Sequence, residues 1–177
     1  MNNNRTRNMV IAAVCLALCL VLPFLTGQIP EIGSALSPMH IPVFLCGFAA
    51  GWPYAMVVGL IAPFLRFALF GMPPLFPMGV AMAFELATYG LVSGLLYRAL
   101  PKRKTSIYVS LIAAMLVGRV VWGVVRLALA GLSNTTFGWA AFMAGAFTQA
   151  VPGIICHLIL IPIIVIALDK AKLISHK

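Results

Sequence analysis

Four ionisable side chains lie inside or near the ends of long apolar stretches of this chain: Arg66, Glu85, Arg119 and Arg126. A charge at the centre of a lipid bilayer costs about 3 kcal/mol on insertion scales, so each needs a partner or water. Arginine and glutamate in such places suit two kinds of chemistry. They form an internal ion pair, or they bind a small charged ligand.

Glu85 is the one charged residue between Leu75 and Tyr97. With a rise of about 1.5 Å per residue, Glu85 lies ~15 Å below the outer end of its helix and Arg119 lies ~18 Å below the outer end of the next. The two are therefore at nearly the same depth, and we predict an ion pair between them. The pair is either structural or in direct contact with a ligand.

Arg126 follows Arg119 by seven residues, two helical turns, so both project from nearly one helix face, together with Trp122. At ~8 Å below the outer surface, Arg126 can offer a planar fork of donors to a carboxylate. Binding to helix-end carbonyls or lipid headgroups is the alternative. Arg66, near the outer end of its helix, either reaches the interface or faces the pocket.

Other polar residues are placed to complete such a pocket: Asn134 in the last external loop, Gln149 in the last apolar run, and His40 at the pocket mouth. Pro152 removes one backbone hydrogen bond beside Gln149, which leaves either a polar spot at membrane depth or only a kink. His157, further along the same run, is either a core histidine or a ligand contact.

The composition indicates an integral membrane protein. Of the 177 residues, 63% are hydrophobic and 8% charged, and the mean hydropathy of +1.08 excludes an ordinary soluble domain. At this length we expect a single helical bundle with no separate catalytic domain. The net charge of +9 lies mostly between the apolar stretches, so we attribute it to membrane topology and expect no nucleic-acid partner.

Apolar runs predict an all-α fold of six transmembrane helices, at 8–27, 36–52, 53–71, 75–99, 106–131 and 137–169. Only "GWP" separates the second run from the third, so one very long helix is the alternative there. With six spans, nine of the twelve basic residues fall on one side of the membrane. That asymmetry favours six spans and places both termini in the cytoplasm.

The sequence gives little support for catalysis. It contains no H-E-x-x-H, no G-x-S-x-G and no phosphate-binding loop, and its four cysteines show no metal-ligand spacing. We therefore expect a protein that is not an enzyme and carries neither cofactor nor metal.

Small residues recur four apart at three places: Ala13 and Ala17, Gly47 and Gly51, and Gly90 and Gly94. In lipid, such pairs allow helix backbones to approach closely. We expect most of them to pack the protein's own bundle. The alanine pair suits a partner protein equally well.

The stretch "SPMHIPVFLCGFAAGWPYAMVVGLIAPFL", followed by "GMPPLFP" and "MAFELATYG", resembles the S component of the energy-coupling factor (ECF) vitamin transporters. The resemblance covers nearly the whole chain. It implies a micronutrient-binding subunit of the plasma membrane that docks onto a transmembrane coupling subunit bearing two ATPase subunits. Ala13 and Ala17 match the A-x-x-x-A motif that faces the coupling subunit in this family. The loop Gln28 to Met39 would cover a ligand held by helices four to six.

The substrate remains open among several vitamins. The cationic surplus favours an anion, and among the family's substrates pantothenate fits Arg126 with Asn134 and Gln149. Folate, biotin, riboflavin and a pyrimidine precursor of thiamine are the others. A different class of protein, a standalone small transporter that uses the Glu85–Arg119 pair as a proton-linked gate, is the alternative function.

Overall fold

The computed structural model describes residues 3–26, 36–101, 103–133, 138–148, 150–171 and 174, and its regular elements are all helical. In chain order they are α1 (Asn3–Val21) with a 3-10 turn (Leu22–Thr26), α2 (His40–Ala49), α3 (Trp52–Phe70), a π turn (Leu75–Gly79) leading into α4 (Val80–Ala99), α5 (Lys104–Ser133), α6 (Trp139–Met143) with a π turn (Ala144–Thr148), and α7 (Val151–Lys170).

Within the described residues, five helical segments are long and apolar enough to cross a membrane: Asn4–Leu25, Trp52–Phe70, Leu75–Ala99, Lys104–Gly131 and Val151–Lys170. A shorter apolar helix, α2, has 10 residues, which give it about 15 Å of rise. The predicted all-α membrane bundle is confirmed. The last apolar run is divided between α6 and α7. Pro152 lies in the first turn of α7, where a backbone N–H has no partner within the helix, so the missing N–H costs no hydrogen bond.

The helix is interrupted between α2 and α3, so the second and third apolar runs are separate helices, as predicted from the charges. Gly51, between the two helices, has φ of 95°, a backbone conformation open to glycine and strained for other residues. Pro53 then lies in the first turn of α3, where proline is favoured. Together these residues exclude one continuous helix.

Glycines bring α3 and α4 into backbone contact. A Cβ on Gly90 would lie 2.5 Å from the carbonyl carbon of Ala55, and a Cβ on Gly94 would lie 2.6 Å from the backbone nitrogen of Trp52. Backbone atoms cannot move aside as a flexible side chain can, so this approach requires glycine. Gly47 on α2 also packs against α4, where a Cβ would lie 2.5 Å from the Ser93 hydroxyl and 3.3 Å from the Gly90 carbonyl oxygen. These small residues therefore pack the bundle, as predicted.

The alanine pair of α1 behaves differently. Ala13 and Ala17 are exposed, on a helix whose Cys15 and Cys19 are buried in the core. Val14, beside them, is also exposed. This face of α1 is therefore available to lipid or to a partner protein instead of packing the chain's own bundle.

Arg66 of α3 binds the end of α1. Its Nη1 donates a hydrogen bond of 2.5 Å to the carbonyl oxygen of Leu20. Its guanidinium carbon lies 5.1 Å from the ring centre of Phe24 and 5.3 Å from that of Phe70. Carbonyls in the last turn of a helix lack an intrahelical partner and carry partial negative charge, so they attract a cation. With 4% of its surface exposed, Arg66 does not reach out to the interface.

Candidate functional site

A buried polar network around Glu85 connects α2, α4 and α5. Arg119 Nη1 lies 2.9 Å from Glu85 Oε1, with 14% and 3% of the two side chains exposed. The Tyr89 hydroxyl donates to the same oxygen at 2.6 Å, and His40 Nε2 lies 3.8 Å from Oε2. The ion pair predicted from helix depth is therefore present. A buried carboxylate needs such partners, because it has lost its water.

Tyr89 is the member of this network that the sequence analysis missed. It follows Glu85 by four residues, so the two side chains lie on the same face of α4. On α5, Gly118 makes room for the tyrosine, since a Cβ there would overlap the Tyr89 ring. The four-residue spacing from the buried glutamate was the available signal.

Two histidines extend the network toward α7. The rings of His40 and His157 are stacked, with centres 5.9 Å apart and planes at 24°. His40 Nδ1 lies 3.1 Å from the carbonyl oxygen of Ser37. Both rings are buried, and among the described residues the Nε2 atoms of both have no hydrogen-bond partner. Buried polar atoms without a partner are rare in native proteins, so this place suits a ligand or an ordered water.

His40 was expected at the pocket mouth, and the structure instead buries it beside Glu85. The ring is buried because it lies between the Ser37 carbonyl and the Tyr89 ring, whose centre is 5.4 Å away. His40 therefore belongs to the interior of the bundle.

A second group of predicted residues lies further along α5. The Arg126 guanidinium carbon is 5.9 Å from the ring centre of Trp122, within the range of a cation–π contact. Trp122 lies 6.4 Å from the ring of Phe142 on α6. A Cβ on Gly145 would be 2.7 Å from the Trp122 ring, so the glycine admits the indole. Arg126 and Trp122 are therefore neighbours, and Arg126 lies ~10 Å along α5 from Arg119.

Two of the predicted ligand-binding residues, Asn134 and Gln149, lie outside the described residues, as does most of the loop Gln28 to Met39. The others form the two groups above, one around Glu85 and one around Arg126. Within the described ranges, no three histidine, cysteine or acidic side chains come together as metal ligands would. The arrangement places fixed donors and acceptors inside the helical bundle.

The sequence matches the family described as ECF transporter, substrate-specific component, over residues 7–165. The match runs from the first turns of α1 into α7, and the chain belongs to this family. It is therefore a multi-pass protein of the cell membrane and the S subunit of an ECF importer, a transport-binding subunit that works with ECF membrane and ATPase subunits. Neither the curated proteins nor the solved structures include a match to the chain.

Proposed function

We propose that this S component binds a small anionic vitamin, with pantothenate the favoured substrate, and that Arg126 binds its carboxylate. The observation that carries this proposal is the cation–π contact of Arg126 with Trp122, in which the guanidinium carbon lies 5.9 Å from the ring centre. A guanidinium is a planar fork of N–H donors that matches the geometry of a carboxylate, so Arg126 is the residue type suited to binding one.

Charge supports the choice of an anion. Glu85 balances Arg119 in the buried network. Arg66 is held by a backbone carbonyl of α1, which carries only a partial charge. Among the four charged residues inside the apolar stretches, three are arginines and one is a glutamate, so the balance there is positive. An anionic substrate supplies charge of the opposite sign, and a cationic one such as thiamine fits poorly.

The two stacked histidines suit the other end of the substrate. Pantothenate carries hydroxyl and amide groups that can donate to or accept from an imidazole nitrogen. The Nε2 atom of His157 is buried and, among the described residues, lacks such a partner, and that of His40 lies 3.8 Å from Glu85 Oε2, beyond hydrogen-bond distance. The Arg126 group and the Glu85 group are ~10 Å apart along α5, a separation suited to a linear molecule. We propose Asn134 and Gln149 as further contacts.

The Glu85–Arg119 pair acts as a scaffold for this pocket in our proposal. Arg119 and Tyr89 bind the same carboxylate oxygen of Glu85. A carboxylate held in this way is a poor gate for protons, because protonation would break an ion pair in a low-dielectric interior. This favours substrate binding over the standalone proton-linked transporter.

Direct binding measurements test the proposal. We expect native mass spectrometry of the detergent-purified protein to show a copurified acid, and isothermal titration to show pantothenate binding. Arg126→Gln should weaken that binding about 10- to 100-fold, as loss of hydrogen bonds to a charged group does. Arg98→Gln, an exposed arginine near the end of α4, is the matched control and should bind normally.

A neutral or cationic copurified ligand would overturn the role of Arg126. If folate or biotin bound in place of pantothenate and Arg126→Gln weakened it, the anion assignment would stand and the vitamin would change. Equal pantothenate binding by Arg126→Gln and Arg98→Gln would remove Arg126 from the site.

A further inference from the structure

A separate cavity, of about 200 Å³, opens at the end of the bundle opposite Arg126. It lies where α4 ends, α5 begins and α7 ends, and each helix contributes to its lining. Tyr97 comes from α4, and the charged residues come from the segment just before α5, from the first residue of α5 and from the last turn of α7. The positive-inside tendency places these helix ends on the cytoplasmic side.

The lining carries an excess of positive charge. Arg103 contributes from just before α5, Lys104 from its first residue and Lys170 from the end of α7, while Asp169 is the one carboxylate among the residues that line it. Three cations and one anion leave two positive charges in excess. Lys104 is also the first residue of α5, and the amino end of a helix adds partial positive charge to the same place. The cavity is therefore suited to an anion.

The membrane side of the cavity is apolar. Ile107 lies three residues after Lys104, and Ile166 lies four residues before Lys170, so each isoleucine is one turn deeper on the same helix face as a lysine. The cavity is thus cationic at its cytoplasmic edge and apolar toward the lipid. A free inorganic anion uses only the first of these features, whereas a phosphate on a short carbon stem uses both.

We propose that this cavity binds a phosphoglyceride group, with the phosphate between Lys104 and Lys170 and the glycerol carbons against Ile107 and Ile166. Two sources present this group: an anionic phospholipid of the inner leaflet, such as phosphatidylglycerol, and a soluble glycerol phosphate. Basic pockets between membrane helices on the cytoplasmic side commonly hold lipid headgroups. Occupation ties the ends of α4, α5 and α7 together and is independent of the vitamin site near Arg126.

Lipid retention tests the first source. Protein purified in a neutral detergent is given equal amounts of phosphatidylglycerol and phosphatidylcholine and examined by native mass spectrometry. We expect the wild type to retain phosphatidylglycerol preferentially. In Lys104→Gln/Lys170→Gln that preference should fall about tenfold, since each basic residue near an anionic headgroup contributes several-fold. Lys104→Arg/Lys170→Arg keeps both charges and should keep the preference.

The matched control is Arg5→Gln/Arg98→Gln, which removes the same charge from two exposed residues that do not line the cavity. It should retain lipid as the wild type does. Equal phosphatidylglycerol retention by the cavity variant and the control would overturn a lipid site. A thermal unfolding midpoint equal to that of the wild type verifies that each variant is folded.

Glycerol 3-phosphate tests the second source by calorimetric titration of delipidated protein. If it binds the wild type and not Lys104→Gln/Lys170→Gln, and no lipid preference exists, the site stands and its ligand is soluble. If neither ligand distinguishes the cavity variant from Arg5→Gln/Arg98→Gln, the cavity is not a phosphoglyceride site and the proposal is wrong.

Discussion

The guanidinium of Arg119 on α5 and the carboxylate of Glu85 on α4 meet at 2.9 Å inside the helical bundle, where both side chains are largely shielded from solvent. Each charge neutralises the other in an environment that stabilises neither alone. The Tyr89 hydroxyl adds a hydrogen bond to the same oxygen, at 2.6 Å. The pair therefore links α4 to α5 at the level of His40.

Substitution of Glu85 and Arg119 should show strong energetic coupling. We expect Glu85→Gln and Arg119→Gln each to lower the free energy of unfolding by about 3–5 kcal/mol, because each leaves one buried charge uncompensated. The double variant should lose clearly less than the sum. Unfolding of the detergent-solubilised protein with increasing dodecyl sulfate measures the free energy of unfolding of the two single variants and the double variant. Strictly additive losses would show that the two side chains do not interact.

Gly118 is predicted to be required by the Tyr89 ring. A Cβ at Gly118 would overlap that ring, which is buried in the core, so Gly118→Ala should destabilise the protein by about 1–3 kcal/mol. The control is Gly131→Ala, also on α5, where a Cβ meets no atom within 4 Å. Because alanine favours helix over glycine, Gly131→Ala should be neutral or stabilising by up to about 1 kcal/mol. Thermal unfolding compares the two, and equal midpoints would contradict the predicted contact.

Arg66 should stabilise the end of α1. Arg66→Gln removes the cation from the Leu20 carbonyl and from the Phe24 and Phe70 rings, and we expect a loss of about 1–2 kcal/mol. Arg66→Lys keeps the charge but lacks the planar fork of donors, so its free energy of unfolding should lie between those of the wild type and Arg66→Gln. Hydrogen exchange should increase most strongly in the last turn of α1. A uniform increase along all helices would indicate a global effect in place of a helix cap.

The exposed alanines of α1 should form the interface with the coupling subunit. Replacing Ala13 and Ala17 by Trp is expected to abolish vitamin uptake by the reconstituted importer while the isolated S component still binds its substrate. The reason is that bulky side chains prevent close approach of a partner helix on an exposed face. Val120→Trp, at a position 58% exposed on α5, is the control for a bulky residue facing lipid. Unchanged uptake in the alanine variant would remove these residues from the interface.

Depth along the membrane normal was readable from the sequence, and this is why the Glu85–Arg119 pair could be predicted. The rise per residue and the ends of the apolar runs give the level of each charge without any tertiary information. The break at Gly51 followed from the distribution of Lys and Arg, which reports topology. Both features depend only on the order of residues along the chain and on the thickness of the bilayer, which sets the length of each span.

The rotation of each helix about its own axis was decided only by the tertiary structure. A membrane helix that is apolar on all sides carries little periodic signal, so the sequence does not show which face meets a neighbour. For that reason the packing of Tyr89 against Gly118 and the position of Arg66 at the end of α1 became visible only in the assembled bundle. The charged cavity between α5 and α7 likewise depends on helix ends that are far apart in sequence. The sequence by itself determined a membrane bundle of helices and the depth of its charges. The packed helices determined which of those charges meet, because contacts between helices depend on rotation and close approach of their backbones.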